Sequence, residues 1–70
     1  MKVTINGQPK DFPNDFEAPL NLYDVLEQEE VIGMMIAVAQ NGAFVPKSAY
    51  ETTLISDGDM IEIVAPMQGG

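Results

Sequence analysis

Seventy residues make one small domain, and a domain of that size buries only about 60% of the surface its unfolded chain exposes. Eleven acidic residues against three lysines give a formal charge of −8, which excludes a phosphate-backbone partner such as nucleic acid. Cysteine and histidine are both absent, so disulfides, thiol nucleophiles, the usual transition-metal ligands and the commonest general base near neutral pH are missing together.

A composition of 46% hydrophobic and 7% aromatic residues supports a small aliphatic core. No bound cofactor, no metal site and no self-contained catalysis are expected. Met1-Lys2-Val3-Thr4 opens directly in a strand-like alternation without a charged and then apolar leader, and no run is long enough to cross a bilayer. A cytoplasmic protein with no membrane partner is expected, monomeric when free and engaging others transiently.

Lys2-Val3-Thr4-Ile5 alternates polar and β-branched residues, and Asn6-Gly7 then gives a strong hairpin signal, because both turn positions need positive φ. The return strand covers Gln8 to about Phe12, with Pro9 favouring a sheet edge because it cannot donate to a ladder. Phe12 is its core residue. Pro13 to Pro19 reads as loop, with Phe16 its one sizeable apolar residue.

Asn21 is positioned to cap a helix, and Asp24 puts a carboxylate in the first turn, where the macrodipole favours it. Leu22, Val25 and Leu26 form one apolar stripe while Glu27, Gln28 and Glu30 face out. The helix runs two to three turns, with Gly33 a site for the following reversal. Glu29-Glu30 reads as a solvated face rather than an acid/base pair.

Met34 to Ala39 is apolar almost throughout and predicts a covered, internal strand, with core filling expected of the methionines and the helix packed closely over Ala37 and Ala39. Asn41-Gly42 is a second turn signal, followed by the short strand Ala43-Phe44-Val45 and its stop at Pro46. Ser48 to Glu51 suggests a single helical turn, with Tyr50 and Leu54 plugging the core. Asp57-Gly58-Asp59 makes a tight turn into the last strand, Met60 to Ala65. The element order predicts an α+β fold: a mixed sheet of four to five strands with one main helix packed across it.

Pro66 stops the last ladder, which divides the chain into a domain over residues 1–65 and a flexible tail, Pro66-Met67-Gln68-Gly69-Gly70. A diglycine end has no side chains and fits a channel too narrow for other residues. Extended, the five residues reach about 17 Å at about 3.3–3.6 Å each. The tail is thus the candidate functional site, with Gly70 the reactive end and Gly69, Gln68, Met67 and Pro66 entering a partner's active site.

The ending Asp57-Gly58-Asp59-x-Ile61-Glu62-Ile63-Val64-x-Pro66-Met67-x-Gly69-Gly70 resembles the ThiS family, the ubiquitin-like sulfur carriers of thiamine biosynthesis. Val38-x-x-Asn41-Gly42-x-x-Val45-Pro46, the Asn6-Gly7 turn and the helix from Asn21 to Leu26 extend the resemblance over nearly the whole chain. Lys47 stands where the family more often has arginine, Gln40 where an apolar residue is common, and the stretch from Pro13 to Asn21 is a few residues longer than usual.

The resemblance implies a β-grasp fold and a carrier cycle. A ThiF-like adenylating enzyme, using ATP and Mg²⁺, would activate the Gly70 carboxylate, which is ionised at neutral pH. A sulfur donor protein would convert it to a thiocarboxylate, and a ThiG-like thiazole synthase would take the sulfur. The same ending suits a MoaD-like carrier for molybdopterin, or a ubiquitin-like modifier or interaction module.

Overall fold

The computed structural model describes residues 1–13 and 19–65. Its strands are β1 (Lys2–Ile5), β2 (Gln8–Asp11), β3 (Ala37–Gln40), β4 (Ala43–Val45) and β5 (Met60–Val64), with one helix, α1 (Leu22–Gln28), between β2 and β3. The five strands form a single sheet in the order β2-β1-β5-β3-β4. β5 runs parallel to β1 and antiparallel to β3, so the last strand occupies the middle of a mixed sheet.

Two Asn-Gly pairs make the hairpin turns. Asn6 and Gly7 have φ of 50° and 82°, Asn41 and Gly42 51° and 85°, the left-handed pairs that match strand twist. The Asn6-Gly7 turn sets β2 against β1 from Ile5–Gln8 to Lys2–Asp11. β2 is an edge strand, which tolerates Pro9, and Phe12 beyond it is buried.

Asn21 caps α1 as expected. Its Oδ1 accepts from the Asp24 N–H at 2.8 Å, while Asp24 accepts from the Asn21 N–H at 3.1 Å. The Leu22 and Tyr23 N–H groups, which have no partner inside the helix, donate to the carbonyls of Thr53 and Tyr50 at 2.8 and 3.1 Å. Those two bonds tie the segment after the 3₁₀ turn Lys47–Ala49 to the helix start. Leu22, Val25 and Leu26 are each 0% exposed and pack with Val3, Ile5, Val38, Val45 and Ile61 from one face of the sheet.

Three expectations need correction. The apolar run before β3 is not a covered strand: pairing begins only at Ala37, opposite Val64, and Met34 and Met35 are 57% and 76% exposed. The chain is still turning there, with Gly33 at φ 90° and the Met34 N–H donating to Val31, so no neighbouring strand among the described residues covers the methionines. The close packing expected over Ala37 and Ala39 falls on Val38 between them, which is 1% exposed. Leu54 is exposed at 58%, and Ile55 fills the core in its place. Leu54 instead pairs by its backbone with Asn21, which turns its neighbour Ile55 inward. On the helix surface the Lys10 ammonium donates to both oxygens of Glu29 at 3.1 Å.

α1 ends in a left-handed residue, and that residue is Glu30 at φ 61° rather than glycine. The Val31 N–H reaches back to Leu26 at 3.1 Å and the Glu30 N–H to Glu27 at 3.0 Å, the pairing of a Schellman cap.

Candidate functional site

The predicted site residues, Pro66, Met67, Gln68, Gly69 and Gly70, all lie outside the described residues, as does Phe16. The structure describes the root from which the tail departs. β5 ends at Val64, opposite Ala37, and Ala65 follows it.

That strand is held at both ends by the asparagines of the two hairpin turns. At the tail end, Asn6 Oδ1 accepts from the Ile63 N–H at 2.7 Å and its Nδ2 donates to the Ile63 carbonyl at 3.2 Å. A side-chain amide thereby continues the parallel β1–β5 ladder past the point where β1 turns away. At the other end, Asn41 Oδ1 accepts from the Met60 N–H at 2.9 Å and the Asn41 N–H donates to the Met60 carbonyl at 2.7 Å. The direction in which the chain leaves the sheet is fixed by paired backbone up to one residue from its last strand position.

Asp59, just before β5, is the buried charge of the described structure at 8% exposure. Burial pushes its pKa up, but three donors outweigh that and hold the carboxyl below its ordinary value. They are Asn41 Nδ2 at 3.0 Å, the Ser56 N–H at 2.8 Å and Gln40 Nε2 at 2.9 Å. With every oxygen occupied by a fixed donor, Asp59 is suited to holding the turn at Gly58 and not to exchanging protons with a substrate. Gln40, where an apolar residue is common, has its role here.

Among the described residues, no group of three or more His, Cys, Asp or Glu is placed to hold a metal ion, and no helix is long and apolar enough to cross a membrane. An open groove of ≈ 700 Å³ lies beside Ala37, the partner of Val64, and is lined among others by Tyr23, Tyr50, Met34, Met35, Lys47 and Glu51.

The ThiS family model matches residues 3–70. The chain belongs to the ThiS family. Its fold is the β-grasp, and two solved structures of a thiamine biosynthesis protein (ThiS) from Geobacter metallireducens share it. The crystal structure superposes with a TM-score of 0.77 at 31% identity, covering all of both chains. The solution structure gives 0.77 at 30%, covering all of this chain and 88% of the other.

This ThiS-family chain is also 37% identical over 70 residues to a thiazole synthase of Paramagnetospirillum magneticum, spanning all of the chain but 20% of that longer protein. It is 29% identical over 70 residues to an uncharacterized protein of Porphyra purpurea, 93% of which it covers.

Sequence reasoning found the strand that leads to the tail but missed what grips it. The Asn-Gly pairs were legible as turns, whereas the second use of each asparagine side chain depends on which strand lies alongside. The exposed methionines carried one signal: they follow directly on Gly33, a residue type that marks a turn more often than a strand interior.

Proposed function

We infer that this chain is the sulfur carrier for thiazole formation in thiamine biosynthesis, with Gly70 as the terminus that carries the sulfur. The observation that supports it most is the reach of the family match, which extends over residues 3–70 and so includes the diglycine. The thiazole synthase that contains a segment 37% identical to this chain supports a thiazole synthase as partner.

In this cycle a Gly70 carboxylate oxygen attacks the α-phosphorus of ATP on a ThiF-like adenylating enzyme, and pyrophosphate leaves. That enzyme supplies the nucleotide pocket and Mg²⁺; this chain supplies the carboxylate. A hydrosulfide equivalent from a sulfur donor protein then attacks the acyl carbon and AMP leaves, giving the thiocarboxylate. The carrier domain, residues 1–65, performs no chemistry. Its part is to aim residues 66–70, with Gly69 giving a narrow approach and Pro66, Met67 and Gln68 lining the partner's channel. We place the cycle in the cytoplasm, where a cysteine-free carrier offers no thiol of its own to attack the acyl-adenylate.

The test is pyrophosphate release from ATP by the adenylating enzyme in the presence of this chain. Deleting Gly70 should abolish it, and Gly69→Val should slow it on the order of a hundredfold, because a β-branched side chain displaces the carboxylate from its attacking position. Undiminished release after removal of Gly70 would sink the assignment.

A further inference from the structure

Two large apolar residues left unburied by the fold lie close in sequence to the residue that pairs with the point where the tail departs. Met34 and Met35 are 57% and 76% exposed. They lead through Ile36 into Ala37, which pairs with Val64, the last residue of β5. The methionines also line the groove of ≈ 700 Å³, together with Lys47 and Glu51. The other two lysines are paired, Lys2 with Asp11 at 3.7 Å and Lys10 with Glu29 at 3.1 Å; Lys47 has no such partner among the described residues.

We propose that Met34, Met35 and Lys47 form the surface on which thiazole synthase seats the carrier during sulfur delivery. This rests on the carrier function inferred above. The tail reaches only about 17 Å, so a protein that takes Gly70 into its active site must meet the surface around Ala65. Thiazole synthase is the occupant because in the Paramagnetospirillum magneticum protein a segment like this chain belongs to the same polypeptide as that enzyme, which holds the two at high effective concentration.

The groove is apolar along Met34 and Met35 and carries Lys47 and Glu51, so its complement is an apolar ridge with a carboxylate that meets Lys47 away from Glu51. Contiguous exposed apolar residues mark interaction sites, and methionine adapts its shape to a partner that docks and leaves. The chain as a whole carries a formal charge of −8, so Lys47 also fixes the orientation of approach.

The experiment is calorimetric titration of thiazole synthase with the full chain, in wild-type form and as M34S/M35S, K47Q and L54S. Leu54 is a fair control: it is 58% exposed and lies beside Gln40, at the end of β3 away from the tail root. M34S/M35S should bind at least about tenfold more weakly and K47Q several-fold more weakly, with L54S within about twofold of wild type. Thermal melting checks that each variant folds, and M35S alone serves if the double variant does not.

Undiminished binding by M34S/M35S or M35S would overturn the surface assignment while leaving the carrier function intact. The surface assignment also falls if these variants bind the synthase normally but lose activation by the adenylating enzyme, or dissolve a dimer of this chain. Absence of binding by the wild-type chain would instead overturn the partnership itself.

Discussion

Asn6 grips Ile63 with both atoms of its side-chain amide across 57 residues of sequence. The turn of the first hairpin is therefore also the clamp on the last strand, two residues before Ala65. Replacing Asn6 with glycine keeps the left-handed turn and removes only the clamp, at about 1–3 kcal/mol for two hydrogen bonds. The melting temperature should fall by about 4–8 °C for each kcal/mol in a domain of this size. Asn6→Ala should cost about 1 kcal/mol more, because alanine resists positive φ. Amide exchange at Ile63 should accelerate in both variants, and equal protection of Ile63 in Asn6→Gly would contradict the clamp.

The cap of α1 contains a correctable strain. Glu30 holds φ 61° and places a carboxylate at the helix C-terminus, where the macrodipole favours cations. Glu30→Gly should relieve both and stabilise the domain by about 0.5–1 kcal/mol, with the usual glycine entropy offsetting part of the gain. Chemical denaturation with an unchanged slope and a higher midpoint is the expected outcome.

Asp59 links stability to acid. Its folded pKa is lowered, so the stabilisation it gives is fully present above the unfolded value of about 3.9 and is lost as pH falls through the folded one. Stability should decline below about pH 4 in the wild type and less steeply in Asp59→Asn. At neutral pH that variant should be less stable by about 1–3 kcal/mol, since its amide cannot satisfy three donors. Denaturation midpoints measured across pH 2.5 to about 7 distinguish the two slopes.

The parts of this molecule that sequence made legible are those governed by neighbours. Asn21 and Asp24 form a capping box three residues apart, Leu22, Val25 and Leu26 share a helix face, and the Asn-Gly pairs need only their own dihedrals. Illegible features depend on what comes alongside. Asp59 meets Gln40 and Asn41 19 and 18 residues away, and nothing in a string of letters reports that meeting. Met34 and Met35 were misjudged because an apolar run states hydrophobicity but not the presence of a neighbour to cover it. Leu54 and Ile55 differ by one position in a stretch without period, where a single bridge to Asn21 decides which turns inward. The tail residues Pro66 to Gly70 are proposed as the site on resemblance and chemistry, and they lie outside the described residues.

The most direct test of the carrier function is intact-protein mass spectrometry of the chain after incubation with ATP, Mg²⁺, a sulfur donor and the adenylating enzyme. A mass gain equal to the exchange of one oxygen for one sulfur, mapped by fragmentation to Gly70, is the predicted result. No gain, with the same enzyme shown to load another carrier, or a covalent link from Gly70 to lysines of other proteins, would contradict it.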